Sequence, residues 1–207
     1  MYLFFGFKFL IMKYLFRVLL SIAIVAVLYL QTQAQTTTFE VRVANHAVGT
    51  LEAHRKVSGS AKSITIKTRV QTFLARVNTD IFNEYNNNVL TLAKSSRVAG
   101  KNGEDKETTT RRNGNDYTIV LNGEKSVMDN TEIDHCVADL YFTEPKQLSR
   151  IFSEALGRFL TIRSLGGGQY ELVLPEGKKN IYKYMNGVLV EVEVNHTFGR
   201  AVLVRNS

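Results

Sequence analysis

Chemistry in this chain would have to come from few residues. His46, His54, His135 and His196 are the only histidines, and Cys136 is the only cysteine. No two histidines stand at the spacing of a helical zinc site, and no nucleophile-elbow, phosphate-loop or dinucleotide-binding glycine motif occurs. Asp134-His135-Cys136 puts a carboxylate, an imidazole and a thiol side by side, a set able to bind a soft metal or activate a nucleophile. Adjacent residues on a strand point to opposite faces, however, so His135 cannot share a site with both neighbours, and Cys136 reads as a small buried hydrophobe. Glu144 and Glu154 could form a glycosidase-type pair, but nothing in the sequence fixes their separation. Tyr182 and Tyr184 share one strand face, and Tyr170 can join them from a neighbouring strand. Rings so placed line a groove for an apolar ligand, or fill a core with their hydroxyls at its rim. These three tyrosines are the candidate ligand contacts. The sequence nominates no catalytic residue, no metal ligand and no cofactor.

The elements that would position these residues are strands. Apolar and polar residues alternate through Phe39-Glu40-Val41-Arg42-Val43, at Ile64, Ile66 and Val70, and at Val190, Val192 and Val194. Such alternation gives one buried face and is the habit of antiparallel sheets. Asn-Gly pairs at 102–103, 113–114, 122–123 and 186–187 supply tight turns. The fold class is therefore mainly β: nine to eleven strands in a strongly curved antiparallel meander sheet or partial barrel. One stretch breaks the pattern. Leu148, Ile151, Phe152, Ala155 and Leu156 make a helical stripe, with Gly157 as its stop, so one short helix is expected near 145–156. Tyr85-Asn86-Asn87-Asn88-Val89-Leu90 parallels Tyr184-Met185-Asn186-Gly187-Val188-Leu189, for which convergent turn chemistry is a simpler account than duplication.

The start of the chain has a different composition. Lys13 and Arg17 precede the apolar run Val18 to Leu30, and Thr32-Gln33-Ala34 offers a small-residue cleavage site. This is the layout of a signal peptide over residues 1–34, with Met12 as a second possible start, followed by one β-rich domain over 35–207. The leader holds three basic residues and no acid, so removing it lowers the net charge from +7 to +4. Neither that charge nor the sequence pattern suits a nucleic-acid partner. Position 35 is Gln rather than a lipid-accepting cysteine, so no stable membrane anchor is expected after cleavage. The polar stretch from Lys94 to Asp116 could meet anionic lipid or polysaccharide, but its mixed charges and Thr108-Thr109-Thr110 favour a solvated hairpin.

Several motifs carry a family resemblance: Phe39 with Val48-Gly49-Thr50, Tyr141-Phe142-Thr143-Glu144-Pro145, Phe152-Ser153-Glu154 with Gly157, and above all Asn180-Ile181-Tyr182-Lys183-Tyr184-Met185-Asn186-Gly187-Val188-Leu189. Through them the chain resembles a family of exported β-rich proteins of unknown function from Bacteroidetes-type Gram-negative bacteria. The resemblance implies a periplasmic or secreted protein with a curved sheet, and no functional residue can be transferred from it. The expected role is a non-enzymatic envelope protein, either a scaffold or a binder. Its partner would be an apolar small molecule or another envelope component. The alternatives are a small outer-membrane β-barrel and an enzyme without a recognisable motif. Protein recovered from the host envelope should begin at Gln35 by intact mass. A mature N-terminus upstream of Val18 would overturn the leader.

Overall fold

Turn chemistry and alternation together shape almost the whole chain. The computed structural model describes residues 33–72, 76–100, 105–196 and 199–206, so most of the expected leader and the Asn102-Gly103 turn lie outside the described residues. The first eight strands are β1 (Gln33–Val43), β2 (His46–Ser58), β3 (Ala61–Gln71), β4 (Arg76–Asn86), β5 (Val89–Ala99), β6 (Lys106–Asn113), β7 (Asp116–Leu121) and β8 (Glu124–Met128). Six more follow: β9 (Arg150–Ser153), β10 (Arg158–Gly166), β11 (Gln169–Val173), β12 (Lys179–Met185), β13 (Val188–His196) and β14 (Gly199–Arg205). They form a single 14-stranded sheet in the order β8 to β1, then β14 to β9. The chain is mainly β, as its alternation requires, though in more strands than the nine to eleven expected. The first and last strands pair in the middle, with Phe39 opposite Arg205 and Val41 opposite Leu203.

The sheet is not closed. Its edges, β8 and β9, are consecutive in the chain yet do not pair. Instead, the turn between β9 and β10 packs on the far wall of the sheet. Thr108 Oγ1 of β6 donates to Ala155 O at 3.1 Å. A Cβ on Gly157 would lie 2.6 Å from Ile119 Cγ2 of β7. Thr108 and Ile119 are both buried, so the sheet rolls up with one end tucked against the inner face of the other.

The helix expected near 145–156 does not form. Residues 150–153 are strand β9, and the turn 154–157 leads into β10. The stripe misleads because β9 is covered on both sides, so Ile151, Phe152 and Ser153 are all buried. A strand buried on both faces loses its alternation and takes on the look of a helix face. The only helical pieces among the described residues are the 3-10 turns Val137–Tyr141 and Pro175–Gly177.

The turns follow their sequences closely. Asn186 and Gly187 both have positive φ, 52° and 79°, and join paired Met185 and Val188: a type I′ hairpin. Asn87 and Asn88, also at positive φ, make the same turn between β4 and β5. The two related hairpins also share a register shift beside their tyrosines, at Glu84/Tyr85 and Lys183/Tyr184.

Gly157 and Gly187 both have positive φ, but a Cβ on Gly187 would meet nothing nearer than Glu144 Oε2 at 4.0 Å. Gly187→Ala should therefore cost about 1 kcal/mol, the left-handed penalty alone. Gly157→Ala adds an overpacked contact and should cost about 3 kcal/mol. In denaturant titrations the Gly157→Ala penalty should shrink in an Ile119→Ala background, because that background removes the clashing methyl.

Candidate functional site

The connection from β8 to β9 passes through the concave interior, and its side chains Ile133, Cys136, Ala138 and Leu140 are buried there. A segment in that position must satisfy its backbone polar groups from the sheet around it. Backbone bonds supply part of this: Leu90 N–H donates to Ile133 O at 2.8 Å and Phe152 N–H to His135 O at 3.0 Å. Tyrosine hydroxyls from four strands also hold the segment, two at its backbone and two at its carboxylate side chains. Ile133 N–H donates to the Tyr117 hydroxyl at 3.4 Å, and that hydroxyl donates in turn to Leu90 O at 2.8 Å. The Tyr85 hydroxyl donates to Asp139 Oδ2 at 2.6 Å. The Tyr184 hydroxyl donates to Leu140 O at 2.6 Å, and that of Tyr170 to Glu144 Oε1 at 2.8 Å. The twin hairpins thus reach consecutive residues of one 3-10 turn from two different strands.

The densest chemistry surrounds that turn. Asp139 accepts from Lys62 Nζ at 2.6 Å, from Tyr85, and from its own turn's Cys136 N–H at 2.9 Å. The Lys62 ammonium also lies 3.8 Å from the Tyr85 ring centroid, a cation–π contact. Glu154, just past β9, accepts from Asn83 Nδ2 at 2.7 Å and Ala138 N–H at 3.0 Å. Asp139 is 6% exposed, Glu154 1% and Cys136 0%. Burial, reinforced by the charges of Glu154 and Asp139, pushes the Cys136 thiol well up, so it stays protonated and a poor nucleophile. Burial likewise lifts the Glu154 carboxyl to about 7, against the opposing hydrogen bonds from Asn83 and Ala138. The cluster can hold the segment and exchange a proton. It exposes no reacting atom to a substrate.

The residues singled out from sequence fall differently. Asp134 and His135 stay together, with Oδ1 to Nδ1 at 3.2 Å, while Cys136 turns into the core. Glu144 and Glu154 have separate partners: Tyr170 and Lys146 for the first, Asn83 and Ala138 for the second. Tyr170, Tyr182 and Tyr184 are all buried, and the rings of Tyr170 and Tyr184 meet edge to face with centroids 5.6 Å apart. Sequence reasoning missed Lys62, Asn83, Tyr85 and Asp139. Their signal was a polar group on an apolar face: Lys62 stands in line with Ile64 and Ile66, and Asn83 between Ile81 and Tyr85. Among the described residues, no group of three or more His, Cys, Asp or Glu side chains could hold a metal ion.

Fold and site together define a rolled β-sheet filled by its own connection. The chain belongs to the family of a domain of unknown function, DUF6134, which it matches over residues 39–206. Its fold is similar to that of a solved β-barrel-like protein of the domain of unknown function DUF1849 from Brucella abortus. That likeness has a TM-score of 0.50 at 7% identity and covers 83% of this chain and 95% of the other. At such low identity it is a likeness of fold alone. No curated protein matches the chain.

Glu154 gives the cluster a measurable signature. Its unfolded value is near 4.5 and its folded value about 7. Between the two, the folded chain keeps a proton that the unfolded chain releases, so stability falls as pH rises through this window and levels off above it. The amplitude is on the order of 3 kcal/mol. Glu154→Gln keeps an acceptor for Asn83 and Ala138 without the charge, and Asn83 Oδ1, which has no donor, can accept from the new amide. Urea midpoints of the variant should lose this decline and exceed those of the parent above pH 7. An unchanged slope would assign the titration elsewhere.

Proposed function

We propose that the protein is an exported, non-enzymatic component of a Gram-negative envelope that holds an apolar ligand on the concave face of its sheet. The observation that carries this reading is an asymmetry within the concave face. Around the 3-10 turn Val137–Tyr141 the interior is filled, and its carboxylates are held by neighbouring donors: Asp139 by Lys62 and Tyr85, Glu154 by Asn83 and the Ala138 N–H. Toward the other end of β3–β5 the inward register continues in the rows Ile66–Ile81–Ser95, Thr68–Thr79–Arg97 and Val70–Val77–Ala99, with apolar positions at Val70, Val77, Ile81 and Ala99. These four are only partly buried. Half-covered apolar positions on either side of the Thr68–Thr79–Arg97 row suit an apolar guest.

The same features weigh against the alternatives. A catalytic role would need Glu154 or Cys136 to meet a substrate, and both are sealed. A lipid-facing barrel would need an apolar outer belt, whereas β11–β14 carry the ion pairs Lys179–Glu171 (2.8 Å), Lys183–Glu191 (2.7 Å) and Arg200–Glu193. Export and the Bacteroidetes-type origin rest on the leader and the motifs described above.

Titration of protein from the envelope fraction with a pyrene-labelled fatty acid tests the ligand reading. Val77→Arg should weaken binding at least ten-fold, whereas Val188→Arg, on an exposed hairpin, should leave it unchanged. Equal binding by both variants would remove the concave face as the site.

A further inference from the structure

One cation on the concave side has no partner in the fold. In the row Thr68–Thr79–Arg97 the inward register puts a guanidinium beside two hydroxyls, and all three residues are only partly buried. Arg97 makes no hydrogen bond or ion pair among the described residues, although a guanidinium carries five N–H donors. From the same face of neighbouring strands, Lys62 reaches Asp139 and Arg55 reaches Gln35. Snorkelling accounts for a long cation at the margin of an apolar face. Arg97 is set inside the margin: Ile66 and Ile81 lie in the row on one side of it, and Val70, Val77 and Ala99 in the row on the other.

The charges around Arg97 leave its own uncompensated. Among the described residues, no carboxylate occupies an inward position of β3, β4, β5 or β6. Asp139, Glu154 and Glu144 are held by Lys62, Asn83 and Tyr170. Asp105, just before β6, accepts from the Ala99 N–H at 2.9 Å. Glu124 holds an inward register position on β8, three strands away from Arg97. Lys106 of β6 stands opposite Arg97 and adds a second cation to the row. Part of its field falls on Glu176, whose carboxyl is held below the usual range by Lys178 first and by Lys106 last.

Resting on the ligand reading above, we propose that the guest of the concave face is a single-chain amphiphile with an anionic head. The Arg97 guanidinium and the Thr68 and Thr79 hydroxyls hold the head, and the chain lies along Val70, Val77 and Ala99. A planar guanidinium takes a carboxylate or a phosphate through two parallel N–H···O bonds. A neutral lipid in the same place would cover the guanidinium without giving it an acceptor, and would bind more weakly for that reason.

A pyrene-labelled fatty acid, its methyl ester and a lysophosphatidate with the same pyrene chain separate head from tail in titrations of the full chain. The parent should bind the acid about ten-fold more tightly than the ester. Arg97→Gln should erase that preference by weakening the acid and not the ester. Lys67→Gln, the same change of charge at an exposed position of β3, should alter neither. Val77→Arg intrudes on the tail and should weaken the ester as well as the acid. The lysophosphatidate assigns the source of the head: whichever anion binds more tightly should lose its advantage over the ester in Arg97→Gln. Equal binding of acid and ester by the parent, with Val77→Arg weakening both, would overturn the anionic head and leave the ligand reading standing. Binding of none of the three probes would remove both. A lower urea midpoint for Arg97→Gln would overturn the head site too, by assigning the guanidinium a partner within the fold.

Discussion

The constraint on which the structure depends is the polar clasp on the internal connection. A sheet rolled this far leaves a concave space that must be filled, and the chain fills it with its own residues between β8 and β9. That choice brings backbone amides and carbonyls into the core, where each costs free energy unless it finds a partner. Tyr117 and Tyr184 supply partners from the walls, while Asp139, itself held by Tyr85, and Glu154 take up amides of the turn itself. Apolar packing by Ile133, Leu140 and Phe152 then follows from where the clasp sets the backbone. The Asp139–Lys62 pair belongs to this arrangement: a buried carboxylate is tolerable because an ammonium and two further donors reach it.

Much of the sheet was legible in the sequence, for identifiable reasons. Tight turns at Asn186-Gly187 and Asn122-Gly123 carry their own backbone requirement, and both glycines have positive φ. Asn113-Gly114 shows how local the limits are. Its turn centres on Gly114 and Asn115, with positive φ on the glycine but not the asparagine, which places Gly at the first central position. Alternation in β1 and β3 fixed which residues face inward. β9 failed as a reading because alternation needs one wet face, and β9 has none.

The interior cluster was less legible because its members are far apart in sequence and individually ordinary. Lys62 and Asp139 are separated by 77 positions, Asn83 and Glu154 by 71. Nothing in either neighbourhood announces the other. Lys62 and Asn83, however, each break an apolar strand face, and a polar residue at an inward strand position implies a buried partner somewhere. Tyr170, Tyr182 and Tyr184 were noticed for their shared face, and two of them turn out to spend their hydroxyls on the internal connection.

The pairing of β1 with β14 has a consequence for how the chain is made. These strands lie side by side at the centre of the sheet, yet Phe39 and its partner Arg205 stand at opposite ends of the domain. As synthesis proceeds, hairpins from β1 to β8 can form early, because they are local and need no distant partner. The central seam cannot close until β14 has left the ribosome, and contacts so distant in sequence form late. Until then two half-sheets exist with raw inner edges at β1 and β13, edges that invite aggregation. A nascent chain of this topology therefore cannot cover those two edges until β14 has emerged.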